Sequence, residues 1–170
     1  LSDLGKAQMD TPSAVVSLEE TTSTQDEARS RFAGTPLLVV ARRQTAGRGR
    51  SGSAWETAPS ALAASIAFST DWPAETWGRI PLVAGLSVLD CLPGALGLKW
   101  PNDVVRGNAK VAGILLESFD GVVVAGLGVN LVWPNPPAGY GALLEGESSS
   151  TDHLTIARCW ASALLQRLGG

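Results

Sequence analysis

The stretch QTAGRGRSGSAW, from Gln44 to Trp55, places Gly47, Gly49 and Gly52 around Arg48 and Arg50. Glycines let backbone amides come close to an anion, and arginines supply forked donors matched to phosphate or carboxylate. The spacing Gly47-x-Gly49-x-x-Gly52 copies a dinucleotide-binding fingerprint, but a strand rather than a helix is expected after it. No Gly-Lys-Ser/Thr closes it as in a Walker loop. A solvated surface loop is the alternative reading of the same residues. Glycines and serines bury little surface, so the spacing predicts a mobile loop over 45–54 whose arginines only an anionic ligand would organise.

A second set lies in KWPNDVVRGNAKVAGILLE, from Lys99 to Glu117. Asn102 and Asp103 after Pro101 form a turn, and turns of this composition are ordinary. Across a short hairpin from that turn stands Lys110, which opens an otherwise apolar strand and is followed by Ala112 and Gly113, small enough to leave room for a ligand. A lysine at a strand start can also simply snorkel to solvent. Ser23 and Thr24 supply a third set. They start a helix, where hydroxyls serve as caps or face a polar ligand.

These groups need elements to position them. Ala14 to Glu20 reads as a strand. Ser23 with Asp26 forms a capping-box start for a helix to Phe32 or Ala33, ended by Gly34. Leu37 to Arg43 is a buried strand that delivers the chain to the arginine loop, and Ala61 to Phe68 is another, although its alanines suit a helix too. Arg79 to Leu92 has helical spacing with Pro81 in its first turn. Then come GLKWP, VVR and KVAGILLES as strands, the last two joined by the turn Gly107-Asn108. Asp120-Gly121 turns the chain into VVVAGLGVNL. Residues 133–150, rich in Pro, Gly, Ser and Glu, read as a surface loop, and His153 to Leu168 as an amphipathic helix capped by Asp152 or Thr151. Adjacent antiparallel strands with helices between groups predict an α+β fold with a mixed, mainly antiparallel sheet.

Together the strings resemble the catalytic domain of biotin–protein ligases over Val15 to Arg167. The family's QQAGRGRRGR-W is similar to QTAGRGRSGSAW, its KWPND…KLAGIL-E to the Lys99–Glu117 stretch, and its G-GIN to Gly126–Asn130; its Ser-Thr-Asn appears as Ser23-Thr24-Gln25. The resemblance implies a class II synthetase-like fold that joins biotin to ATP, giving biotinyl-5′-adenylate and pyrophosphate with Mg²⁺. It further implies transfer of the biotinyl group to one lysine of a biotin carboxyl carrier protein, an acyl-CoA carboxylase subunit. Lys110, Arg48 and Asp103 would then carry catalysis. Ser23, Thr24, Gln25, Gln44, Gly47, Arg48, Lys110, Gly113 and Ile114 would surround biotin. Arg48, Gly49, Arg50, Trp55, Asn102, Lys110 and Asn130 would surround the nucleotide, with no particular metal ligand indicated. Gln25 departs from the usual Asn, and Ser51 and Ser53 stand where basic residues are common. The competing readings are a lipoate or octanoate transferase of the same fold, and a non-catalytic domain that binds biotin or its adenylate.

Composition bounds the rest. The 170 residues suit one domain, with 1–13 as an extension and without the small β-barrel domain that the family carries C-terminally. Thirteen basic against sixteen acidic residues give a net charge of −3, which implies no polyanion-binding surface, and nothing supports a DNA partner. No apolar run reaches the length of a membrane span and no signal pattern opens the chain, so the cytoplasm is the default, with a monomer or homodimer expected. Cys91 and Cys159 lie isolated in apolar helical patterns and read as reduced, buried thiols, with a disulfide as the alternative.

Overall fold

The computed structural model describes residues 11–144 and 152–169. Most of the expected extension, Thr151 and the end of the 133–150 loop lie outside the described residues. Seven strands form one sheet: β1 (Ala14–Thr21), β2 (Leu37–Gln44), β3 (Ser60–Phe68), β4 (Gly97–Lys99), β5 (Asp103–Arg106), β6 (Ala109–Phe119) and β7 (Val122–Val132). Their order is β1-β2-β3-β7-β6-β5-β4. Only β1 and β2 run parallel; the crossover between them is the helix α1 (Thr24–Arg31), and every other neighbour pair is antiparallel. The expected mixed, mainly antiparallel α+β fold is therefore the one observed. The alanine-rich segment settles as strand β3, because it pairs on both sides, with β2 and with β7. The β6–β7 turn is made by Asp120 and Gly121, both at positive φ (45° and 80°), the geometry that matches the twist of a two-residue hairpin.

The two sheet faces are covered unequally. Helices α2 (Ile80–Cys91) and α3 (His153–Gly169) pack on one face. There Leu38, Leu62, Ile66, Val123 and Leu127 meet Ala84, Val88, Trp160, Leu164 and Leu165. The buried positions of α3 recur at three- and four-residue intervals from Ala157 to Leu168, one apolar stripe toward the sheet. Asp152 caps it, with a carboxylate oxygen accepting from the Leu154 N–H at 3.0 Å and the other from the Thr155 hydroxyl. The Trp160 indole donates to the Ala84 carbonyl at 3.1 Å, and Arg167 pairs with Asp90 at 2.7 Å, so the helices are tied to each other as well as to the sheet.

The cysteines correct the expectation of reduced, buried thiols. Cys91 at the end of α2 and Cys159 in α3 form a disulfide across 68 residues of sequence, and Cys159 is exposed. The apolar pattern around each belongs to its helix's buried face. Cys91 is half-buried at the edge of the core and Cys159 lies off the buried face of its helix, and the packing of the two helices brings them together.

The other face is covered by α1 over only part of its width, where Ala28 meets Leu37, Val39, Ala67 and Val124. Next to that patch the side chains shrink. Reading across the strands in register, Ala41 on β2 faces Ala63 on β3, then Gly128 on β7, Gly113 on β6 and Asp103 on β5. The neighbouring row runs Val39, Ser65, Gly126 and Leu115. A row of residues without bulk leaves a trough across the sheet.

The 133–144 segment is more closely held than a surface loop. The Lys110 N–H donates to Gly139 (2.8 Å), and Gly141 returns an N–H to the Lys110 carbonyl (2.9 Å), so this segment runs parallel to the start of β6. No described helix is long and apolar enough to cross a membrane.

Candidate active site

The trough opens into a cavity of about 220 Å³, walled by α1, the arginine loop, the Asn102–Asp103 turn and strands β3, β6 and β7. At one end sits a buried polar relay. Ser23 caps α1, its hydroxyl accepting from the Asp26 N–H at 3.5 Å. The next residue, Thr24, gives its backbone N–H (2.7 Å) and its hydroxyl (3.0 Å) to the Gln44 amide oxygen. The same hydroxyl lies 2.8 Å from that of Ser65, which is fully buried. The helix start is thus tied to the ends of β2 and β3. With its oxygen already engaged, the Gln44 amide is left with its two N–H donors, and the hydroxyls with lone pairs, to meet a polar ligand. Ser65 escaped the sequence reading, although it is the one polar residue inside an otherwise apolar strand.

At the other end the Lys110 ammonium stands 2.7 Å from an Asp103 oxygen, each side chain about a quarter exposed. Asn102 donates to the Ile114 carbonyl at 2.7 Å and accepts the Ile114 N–H on its own carbonyl at 2.9 Å, which fixes the turn beside β6. The lysine leans along its strand toward Gly113: a Cβ placed there would meet its Cε at 3.2 Å. Above the trough the indole of Trp55 lies on the glycines. A Cβ on Gly113 would come within 2.7 Å of that ring and one on Gly128 within 2.8 Å, so both positions need glycine for this close approach. The Lys110 ammonium is 5.0 Å from the ring centroid, a cation–π distance.

The arginine loop is folded, with Arg48 bridged to Ala54 and a 3-10 turn over Arg50–Gly52. Arg48 is organised by the protein's own carboxylates, which the sequence reading reserved for an anionic ligand. It donates twice to Asp26 (2.7 and 2.9 Å) and once to Glu117 (3.1 Å). The hydrogen bond from Arg48 holds the Asp26 carboxyl below the usual carboxylate range, and the same contact holds the guanidinium protonated more tightly than usual. Arg50, by contrast, is exposed and has no carboxylate partner among the described residues.

Ser23, Thr24, Gln25, Gln44, Arg48, Gly49, Arg50, Trp55, Asn102, Asp103, Lys110, Gly113 and Ile114 all line this one cavity, joined by Ser65, Gly126, Gly128 and Tyr140. Two expected contacts do not reach its wall. Gly47 is backed against Gln44 and Trp55, and its carbonyl accepts the Trp55 N–H at 2.9 Å. Asn130 is fully buried below the cavity, where its amide donates to the Gly141 and Lys110 carbonyls (3.2 and 3.5 Å) and pins the 139–141 segment. Among the described residues no group of three or more metal-ligating side chains occurs.

Residues 14–132, from the first residue of β1 to the last of β7, match the biotin/lipoate A/B protein ligase family. The chain belongs to that family. Two ligase relatives carry the likeness further. The biotin–[acetyl-CoA-carboxylase] ligase of Mycobacterium tuberculosis is 42% identical over 104 residues, covering 56% of this chain and 39% of its own length. That of Paracoccus denitrificans is 39% identical over 127 residues, covering 67% of this chain and 53% of its own. The chain therefore spans between two fifths and about half of these two relatives. Among solved structures, the biotin protein ligase from Leishmania major in complex with biotinyl-5-AMP superposes with a TM-score of 0.77 at 27% identity, covering 92% of this chain and 75% of that one. This family member thus shares the fold of a ligase caught with an acyl-adenylate.

Proposed function

We propose that the chain activates biotin with ATP, forming biotinyl-5′-AMP, and passes the biotinyl group to a lysine of a carrier protein of the acyl-CoA carboxylase type. One observation carries the reading: a buried relay of Thr24, Gln44 and Ser65 and an ammonium at Lys110 stand at opposite ends of a trough floored by small residues. A ureido ring presents a carbonyl acceptor and two N–H donors, which suit the relay. A dithiolane ring has neither, and would leave the half-buried Gln44 N–H donors without a ligand partner at about 1–3 kcal/mol. The relay thus favours biotin over lipoate, as do the names of the two ligase relatives.

With the ring in the relay, the acyl chain runs past the Trp55 indole that covers Gly113 and Gly128 and brings its carboxylate to Lys110. In the first step a carboxylate oxygen attacks the α-phosphorus of ATP, and pyrophosphate leaves. Lys110 draws the two anions together and stabilises the charge that builds on the phosphoryl oxygens. Asp103 holds the ammonium in place, and Arg50 on the loop supplies a second cation. In the second step the carrier's neutral lysine amine attacks the acyl carbon, the acyl C–O bond to the phosphate breaks, the nitrogen loses one proton to solvent, and an amide is left while AMP departs with the phosphate charge. A Mg²⁺ accompanying the nucleotide would take its ligands from phosphates and waters with one or two carboxylates from the protein, for which Asp103 and Glu56 stand at the cavity wall. When bound, the ion neutralises phosphate charge.

The test is biotin-dependent exchange of pyrophosphate into ATP, run in parallel with lipoate. Exchange with biotin and none above background with lipoate is expected. Exchange with neither ligand, or with lipoate alone, would reject the proposal.

A further inference from the structure

Arg48 sits at the neck of the loop and is gripped from two elements at once. Asp26, in the first turn of α1, takes both guanidinium nitrogens in a forked pair, and Glu117, near the end of β6, takes one of them. The Glu117 oxygen that receives Arg48 also receives the Gln25 amide at 3.1 Å. Gln25 is itself a buried cavity-wall residue, 5% exposed, that donates further to the Val124 carbonyl. A single carboxylate oxygen thus joins the cavity wall to the loop. A forked arginine–carboxylate pair fixes orientation as well as distance, so the loop backbone at Arg48 is aimed as well as tethered. Two residues further on, Arg50 carries a charge that no described carboxylate neutralises.

We propose that Asp26 and Glu117 are positioning residues for the reaction, holding the arginine loop against α1 and β6 through Arg48 so that Arg50 is the arginine left for the ligand's phosphate. The pair then sets how long an activated acyl intermediate stays enclosed. This second consequence rests on the adenylating activity proposed above, whereas the positioning does not.

The experiment compares the parent chain with Asp26→Asn, Glu117→Gln and the double variant. These isosteric changes lie at half-exposed side chains, 56% and 43% accessible, where the fold tolerates them. Hydrogen exchange of residues 45–54 is measured first in the free protein. Each single variant should exchange about two- to fivefold faster, the scale of one partly exposed charge pair, and the double variant about tenfold faster. Next, with biotin, ATP and hydroxylamine, the ratio of released hydroxamate to adenylate formed should rise by similar factors. Asp26→Glu, which keeps the charge, should stay near the parent on both readouts. Parent-like exchange in the double variant would overturn the positioning role, and a parent-like ratio with faster exchange would overturn the role in retention. If the parent makes no adenylate, the proposed activity fails while the exchange measurement still decides the positioning.

Discussion

Removing the Lys110 ammonium tests the proposed chemistry most directly. Two unit charges about 4 Å apart at an effective dielectric near 20 interact by about 4 kcal/mol. The Lys110 side chain is 24% exposed, and its ammonium already serves Asp103 at 2.7 Å, so the transition state does not receive the whole of that interaction. Roughly 3 kcal/mol is a reasonable remainder and falls in the range measured for single preorganised donors. It corresponds to about a 10²-fold loss in rate. Lys110→Met keeps the aliphatic packing beside Gly113 and the Trp55 ring while deleting the charge. Pyrophosphate exchange at saturating biotin and ATP should fall by about that factor, with a much smaller change in the KM for biotin, whose ring is held by the relay. Asp103→Asn, which leaves the ammonium in place but loosens it, should cost about tenfold. A Lys110→Met rate within threefold of the parent would refute the assignment of the lysine to the developing phosphoryl charge.

Three further outcomes are expected. Thr24→Val or Ser65→Ala leaves relay partners unmatched and should weaken biotin binding by roughly 1–3 kcal/mol in calorimetry, about five- to 160-fold; an equal loss of ATP affinity would remove the relay from ring recognition. Gly128→Ala puts a methyl 2.8 Å from the Trp55 ring, so the indole must leave the trough or the methyl must fill it. The KM for biotin should rise at least about tenfold while circular dichroism stays unchanged, with unfolding cost in the usual overpacking range of about 1–3 kcal/mol. Cys159→Ser opens the link across 68 residues and should lower unfolding free energy in urea by about 2–4 kcal/mol with biotin affinity retained, because the link lies on the helical side of the sheet; unchanged stability would mean that the bond contributes nothing.

The elements that repeat a local rule were legible in the sequence. The Ser23 cap, the Pro81 helix start and the hairpin turns at Gly107 and Asp120 each follow from a few neighbouring residues. The placing of Lys110 across a short hairpin from the Asn102–Asp103 turn was legible too, whereas the register shift between Val104 and Val105, which sets what each residue faces, was not. What sequence could not reach depends on distant segments. Glu117 meets Arg48 across 69 residues, and its partnership with Gln25 spans 92. Glu117 closes the stretch that resembles KLAGIL-E, but nothing near it in the chain points to Arg48 or Gln25 as its partners. The disulfide was missed for the same reason, since only the packing of α2 on α3 brings the cysteines together. Asn130 was expected beside the nucleotide from its motif. Its burial under Lys110 and Gly141 follows from the 139–141 segment folding back on β6, which composition had marked as loop.

The cross-strand row of small residues has a metric consequence. From Ser65 on β3 to Gly113 on β6, where the lysine's end arrives, the path crosses two strand spacings and advances two residues along the strands. With ~4.8 Å per spacing and ~3.4 Å per residue, that is about 12 Å. The hydrogen-bonded ladder sets this length, and no side chain does. On the proposed function, the sheet itself would act as a ruler between ring recognition and the reacting carboxyl end. Substitution can block the ruler, by adding a Cβ at Gly113, Gly126 or Gly128, but cannot rescale it. On that same function, the acyl length that reaches the ammonium would follow from the β-ladder and from the side chains at its two ends, Thr24, Gln44 and Ser65 at one and Lys110 at the other.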